Sequence, residues 1–260
     1  MVKIKLFFFF LILSLSVTAF SRAEVVSSLW QTQKSQHFIV YYQGASSSFV
    51  DELISKAEDY YNGIVEELGF RRFDFWSWEN RAKIFLYNNT DDYQKETQRE
   101  GWSGGVVYVN KRVIQTFIGQ GSFFDSILPH EMTHIIFREF IGKNIALPLW
   151  IDEGIACSQE KSNLASRMRL ARELVSQNKY IALSEISKLS SLGDSIKPDV
   201  FYAEAASLIV FLIHEEGQSG FLDFSRLLRD GTDWQKALFK VYHFTSLEDM
   251  EEKWKEFLLK

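Results

Sequence analysis

His130-Glu131-Met132-Thr133-His134 is the stretch on which the reading of this chain turns. On a helix, two imidazoles four residues apart fall on one face about a turn from each other, so both can take the same metal ion. Glu131 follows the first histidine and projects about 100° round the helix from it, beside a metal rather than onto it. A carboxylate there can accept a proton from an attacking water. The flanking residues supply the helix: Ile127, Leu128, Ile135, Ile136, Phe140 and Ile141 recur at helical spacing and predict a part-buried helix ending near Gly142. Pro129 either starts a fresh helical turn directly before His130 or kinks a helix already begun near Phe123.

A catalytic zinc needs a third protein ligand and an open fourth position. Downstream the chain reads Leu147-Pro148-Leu149-Trp150-Ile151-Asp152-Glu153-Gly154-Ile155-Ala156, with eighteen residues between His134 and Glu153. A loop of roughly seven residues after Ile141 allows a second helix, entered at Pro148, to pack on the first and bring Glu153 to the metal. The competing reading of Glu153 is a solvated helix acid.

H-E-x-x-H followed eighteen residues later by Glu within Trp-x-x-Glu-Gly-x-Ala is similar to the gluzincin zinc metallopeptidases. The wording Leu128-Pro129-His130-Glu131-Met132-Thr133-His134 with Trp150-Ile151-Asp152-Glu153-Gly154-Ile155-Ala156 most resembles their small peptidase MA-like branch. The resemblance implies one zinc ion per chain held by His130, His134 and Glu153, Glu131 as general base, and a peptide or protein substrate. It also implies a tyrosine on the helical lobe as second donor to the oxyanion, for which Tyr202 is the candidate. A core tyrosine at the start of a buried helix is the other reading of Tyr202. More loosely, the likeness runs from about Gln36 to Leu259.

The N-terminus carries Lys3 and Lys5, an apolar run from Leu6 to about Phe20, then Ser21-Arg22-Ala23, a small-x-small cleavage pattern. This predicts an export signal over residues 1–23 and a periplasmic or secreted catalytic domain over 24–260. Cleavage after Ala19 and a retained anchor are the alternatives, although the run is shorter than the ~20 residues that span a bilayer. Removing 1–23 deletes three cations and no acid, taking the net charge from −5 to −8. So acidic a chain is a poor nucleic-acid or anionic-membrane binder. The single cysteine, Cys157, allows no internal disulfide. It falls one turn after Glu153, where a small buried residue under the site is the expected role and a metal ligand the alternative. Oligomeric state has no signature.

The expected fold is α+β, a small N-terminal sheet lobe with helices (about 36–142) and an all-helical C-terminal lobe (about 143–260), with the metal helix at the seam. His37 to Tyr42 and Ala82 to Tyr87 read as strands, and Gly104 to Val109 with Arg112 to Phe117 as a hairpin through Asn110-Lys111. A capping box at Ser48 and Asp51 opens an amphipathic helix stopped at Gly69, and Thr90 caps a short helix to about Gln98. Leu164 to Gln177 is amphipathic, Ser184 to Leu189 a short segment, and Phe201 to His214 a central buried helix. Capping boxes at Thr232 and Thr245 open the last two helices. Phe70 to Trp78 is an aromatic stretch that either packs into the core or forms a binding surface. Asn88-Asn89-Thr90 is a glycosylation sequon, meaningful only in a eukaryotic secretory pathway. His37, His214 and His243 lack ligand spacing and default to structural or exposed roles.

Two other readings compete with a peptidase: a catalytically weak or inactive module that binds peptide or cell-envelope polymer, and a zinc-free interaction domain. Within the peptidase reading, Gly104-Gly105-Val106-Val107-Tyr108 has no acid to pair with a substrate's free amine, unlike the Gly-x-Met-Glu-Asn stretch of gluzincin aminopeptidases. The expectation is therefore an endopeptidase.

Overall fold

Alternating β-branched and aromatic residues build the sheet, and its strands are mixed in direction. In a computed structural model, residues 30–70, 76–98, 104–119, 123–193 and 196–260 are described. The expected export signal and residues 71–75 of the aromatic stretch lie outside them. Strands β1 (Gln31–Lys34), β2 (Phe38–Tyr42), β3 (Ala82–Tyr87), β4 (Gly105–Tyr108) and β5 (Val113–Phe117) lie in the order β1-β2-β3-β5-β4. The central pairs β2–β3 and β3–β5 are parallel, and the flanking pairs are antiparallel. Val40, Ile84 and Ile114 stand in register across the three central strands, and all are fully buried. Helix α1 (Ser47–Glu67) covers them with Val50, Leu53, Ala57, Tyr61 and Ile64.

The hairpin stands as expected, except that a 3-10 turn over Val109–Lys111 and Arg112 in the left-handed conformation (φ 51°) join the strands. Short helix α2 (Thr90–Thr97) lies between β3 and β4. Phe70 and Trp76, from the aromatic stretch, are core residues. Phe70 stacks on Phe140 at 3.9 Å, and Trp76 donates to Glu139 at 2.7 Å.

Both expectations for Pro129 turn out partly right. A π-helical turn, Phe123–Ile127, runs directly into α3 (Leu128–Ile141), with Pro129 in the first α-helical turn, where a missing N–H leaves no bond unmade. Seven residues then lead to α4 (Leu149–Ser158), which Pro148 precedes. From there on the elements are helical: α5 (Lys161–Ser176), α6 (Leu183–Ile186), α7 (Pro198–Arg229), α8 (Trp234–Tyr242) and α9 (Leu247–Leu259). The central helix, expected to end at His214, continues to Arg229, its backbone broken at Gly217 (φ 65°, ψ −172°). Helix α3 packs on α1 and β4 on one side and on α4 and α7 on the other, so it forms the seam between sheet and helices. Among the described residues no helix is long and apolar enough to cross a membrane.

All four expected caps are displaced. Ser46 rather than Ser48 caps α1, accepting from Phe49 N, and Asn89 rather than Thr90 caps α2, accepting from Asp92 N. Asp233 caps α8 because Thr232 still belongs to the turn that ends α7, its N–H donating to Leu227 O. Ser246 caps α9 and accepts from Asp249 N, while the Asp249 carboxylate accepts from Thr245 N at 2.8 Å.

Candidate metal centre

Helix α3 presents His130 and His134 one turn apart, and α4 brings Glu153 against them. The two Nε2 atoms lie 3.2 Å from each other. Glu153 Oε2 is 3.5 Å from His130 Nε2, and Oε1 is 3.9 Å from His134 Nε2. Ligand atoms of all three residues fall within 4.8 Å of one another. Metal–nitrogen bonds of ~2.0–2.1 Å at a tetrahedral angle separate two nitrogens by about 3.3 Å, so the imidazole pair has the spacing zinc requires. Two imidazoles and one carboxylate are also the donor set of open, catalytic zinc sites. Glu131, the next residue along α3 from His130, is half-buried.

With both Nε2 atoms turned to a common point, each Nδ1 faces an acid. His130 Nδ1 is 2.8 Å from Glu160 Oε1, and the other Glu160 oxygen accepts from Ser126 Oγ (2.7 Å), Asn163 Nδ2 (2.7 Å) and Arg167 Nη2 (2.9 Å). His134 Nδ1 lies 3.8 Å from Asp152 Oδ1, and Arg138 clamps the Asp152 carboxylate through Nε (2.9 Å) and Nη2 (3.0 Å). The Glu160 hydrogen bond fixes the tautomer of His130 and raises its basicity toward a metal, while Asp152 stands behind His134 at ion-pair distance. Sequence reading gave Glu160 no role and Asp152 only a place in a motif. Glu160 lies past the end of α4, in the cap position before α5, so no helical spacing from Glu153 pointed to it.

The electrostatics agree with the geometry. Burial opposes charge on both histidines. On His130 the Cys157, Glu153 and Glu160 side chains outweigh it and lift the imidazole well above its ordinary value; on His134 Asp152 outweighs it and raises the imidazole. Burial would raise the acids, yet His134 and Arg138 pull Asp152 down to about 2, and His130, Asn163 and Arg167 pull Glu160 down to about 2. Glu153 is lowered against its burial by the two histidines. Positive charge is thus favoured where these side chains converge, and a divalent cation would supply it.

A second grouping, His130, Cys157 and Glu160, shares the same imidazole. Cys157 is buried, its Sγ 3.9 Å from His130 Nδ1, and burial pushes the thiol up, away from the thiolate a metal needs. That Nδ1 is already bonded to Glu160, so the buried sulfur adds only a weak hydrogen bond beneath the site. Tyr202 is half-buried in the first part of α7, with the Arg167 guanidinium 5.7 Å over its ring. Burial first, then the charges of Glu153 and Cys157, raise its phenol above the usual tyrosine range. The other histidines are structural or exposed. His37 bonds Glu58 at 2.5 Å and stacks on Tyr61, His214 is exposed beside Glu215, and His243 ends α8 in the left-handed conformation.

No curated protein sequence matches the chain. Among solved structures, one similar chain is yeast LTA4 hydrolase in complex with bestatin, at 13% identity and a TM-score of 0.43. The match covers 87% of this chain but 37% of that one, so the chain spans little more than a third of its length. From residue 77 to residue 260, a stretch that contains α3, α4 and every metal-facing residue named above, the sequence matches the model of the peptidase MA superfamily, and the chain belongs to that superfamily.

Proposed function

We propose that the protein is an exported zinc-dependent endopeptidase. The observation that carries this reading is the convergence of His130 Nε2, His134 Nε2 and a Glu153 carboxylate oxygen within 4.8 Å, one residue from an acid that is not a ligand. A zinc ion bound there supplies Lewis acidity to water and to the scissile carbonyl. His130 and His134 would hold it, their Nε2 atoms turned to a common point and their Nδ1 sides facing Glu160 and Asp152. Glu131 takes the proton of the attacking water and returns it to the leaving amine. Tyr202 donates its phenolic hydrogen to the developing oxyanion; a phenol held protonated by burial suits that task.

Strand β4 is an edge of the sheet and runs beside the metal helix; a Cβ on Gly105 would come 2.8 Å from Ile127 Cγ2. A substrate segment adding to this edge would be read through its backbone on both sides of the scissile bond. Gly105-Val106-Val107-Tyr108 carries no acid, and the nearby Asp152 carboxylate is already clamped by Arg138, so neither this strand nor Asp152 offers a free α-amine its counter-charge. Export rests on the Lys3 to Ala23 pattern.

Incubating the mature protein with a mixed peptide library, with and without chelator, and reading products by mass spectrometry tests the activity. Chelator-sensitive internal cuts are expected, with N-acetylated and free-amine versions of one peptide cut alike. Release of single residues from the free-amine form alone would mark an aminopeptidase, and binding without cleavage would mark a peptide-binding module.

A further inference from the structure

A cleft of about 320 Å³ opens directly beside the ligands. His134, Asp152 and Glu153 line one side, Val107, Val109 and Asn110 of the sheet lobe another, and Arg138 and Lys143 complete it. Its two cations differ. Arg138 has Nε and Nη2 on Asp152 and Nη1 on Ile145 O at 2.6 Å, so each of its nitrogens is engaged and its charge is paired with Asp152. Lys143 is a third exposed and uses one N–H on Asn110 O at 3.2 Å. Its nearest acid, Glu139, is 4.0 Å away and already receives Arg112 Nε and Trp76 Nε1. An ammonium has three N–H donors, and this one keeps uncommitted donors and an incompletely balanced charge at the rim of the cleft. Nor is it serving the end of α3: Gly142 N–H satisfies Arg138 O, while Lys143 reaches across to the turn after β4.

We propose that Lys143 makes this cleft a subsite for a carboxylate, so that the enzyme prefers peptides placing an acidic side chain or a C-terminal carboxylate beside the metal. The inference rests on the cleft being the peptide-binding site of the proposed endopeptidase. Val107 and Val109 wall the stem of the bound residue, and Lys143 meets its charged end. A hydrogen bond between ionised groups at a part-buried site is worth roughly a tenfold preference or more over the neutral amide.

The test is fluorescence-anisotropy binding to zinc-loaded Glu131→Gln protein, which retains substrate without turnover. Two peptide pairs separate the sources of the carboxylate: internal Glu against Gln at positions flanking the cut, and a free C-terminus against its amide. At least one acid form should bind about tenfold more tightly than its neutral partner. Adding Lys143→Met should reduce that ratio below about twofold, and adding Lys143→Arg should preserve it. Zinc content and melting temperature of each variant check the fold. Equal binding of acid and neutral forms, no binding of any acid form, or a preference that survives Lys143→Met overturns the proposal. Chelator-sensitive cleavage by the wild-type protein without carboxylate preference would sink the subsite and leave the endopeptidase standing. Lys143-dependent binding without cleavage would do the reverse.

Discussion

Glu131, Glu153 and Glu160 carry one functional group within thirty residues and are assigned three tasks by position alone. Glu131→Gln should retain zinc and abolish hydrolysis, because it removes a base and no ligand, whereas His134→Ala and Glu153→Ala should lose the metal. Metal analysis of the purified variants separates the roles: zinc loss in Glu131→Gln equal to that in His134→Ala contradicts them. Glu160→Gln keeps an acceptor for Arg167 but loses the charge behind His130, and zinc affinity should fall by about 10–100-fold in a chelator competition. Tyr202→Phe should lower turnover by roughly 10²-fold with zinc content unchanged; near-normal turnover would make Tyr202 a packing residue. The pairing of His130 with His134 was legible because helical spacing fixes which side chains of one helix share a face. The carboxylates behind the histidines were less so, since Glu160 stands at the junction of α4 and α5 and meets His130 only through tertiary packing, which periodicity does not encode.

Helices and strands were legible where burial writes a period into the sequence, as in α1, α3 and β3. They were not where polar residues decide. β1 reads Gln-Thr-Gln-Lys, without an apolar alternation, and exists because it pairs antiparallel with β2. Each cap was displaced by one or two positions because neighbouring Ser, Thr, Asn and Asp compete for the same N–H, and the preceding backbone chooses among them. Two elements carry predictions. A Cβ on Gly154 would come within 2.4 Å of Ala205 O, so α4 meets α7 at a distance only glycine permits. Gly154→Ala should push α4 outward, costing about 1–3 kcal/mol in urea unfolding and weakening zinc binding through Glu153, the adjacent residue. Glu204 on α7 is buried, both oxygens facing Ile181 N, and desolvation raises its carboxyl to about 8. A raised acid keeps its full stability below the unfolded pKa of 4.5 and loses it progressively as pH rises through about 8. Glu204→Gln should therefore be more stable than wild type at pH 8 and close to it at pH 4; an equal gain at both pH values would place the effect in packing instead.

At the scale of the molecule, a metal at the candidate centre would join what the chain builds separately. The imidazoles of His130 and His134 stand on α3, which rests on α1 and β4 of the sheet side, and the Glu153 carboxylate stands on α4, which packs on α7 among the helices. The chain has one cysteine and hence no internal disulfide to tie these parts together. An ion bound only by the native state stabilises it by RT ln(1 + [L]/Kd), about 2.7 kcal/mol at free zinc a hundredfold above Kd. For a chain of this size 1 kcal/mol moves Tm by ~2–4 °C, so chelation should lower Tm by about 5–10 °C. The shift should grow with the logarithm of free zinc and vanish in His134→Ala, whose Tm should already match the chelated wild type apart from the packing change at the substituted side chain. Scanning calorimetry of both proteins across a zinc series measures this. A chelator shift of the same size in both would mean that the stabilising ion sits elsewhere, and no shift in either would mean that α3 and α4 are held together by their packing alone.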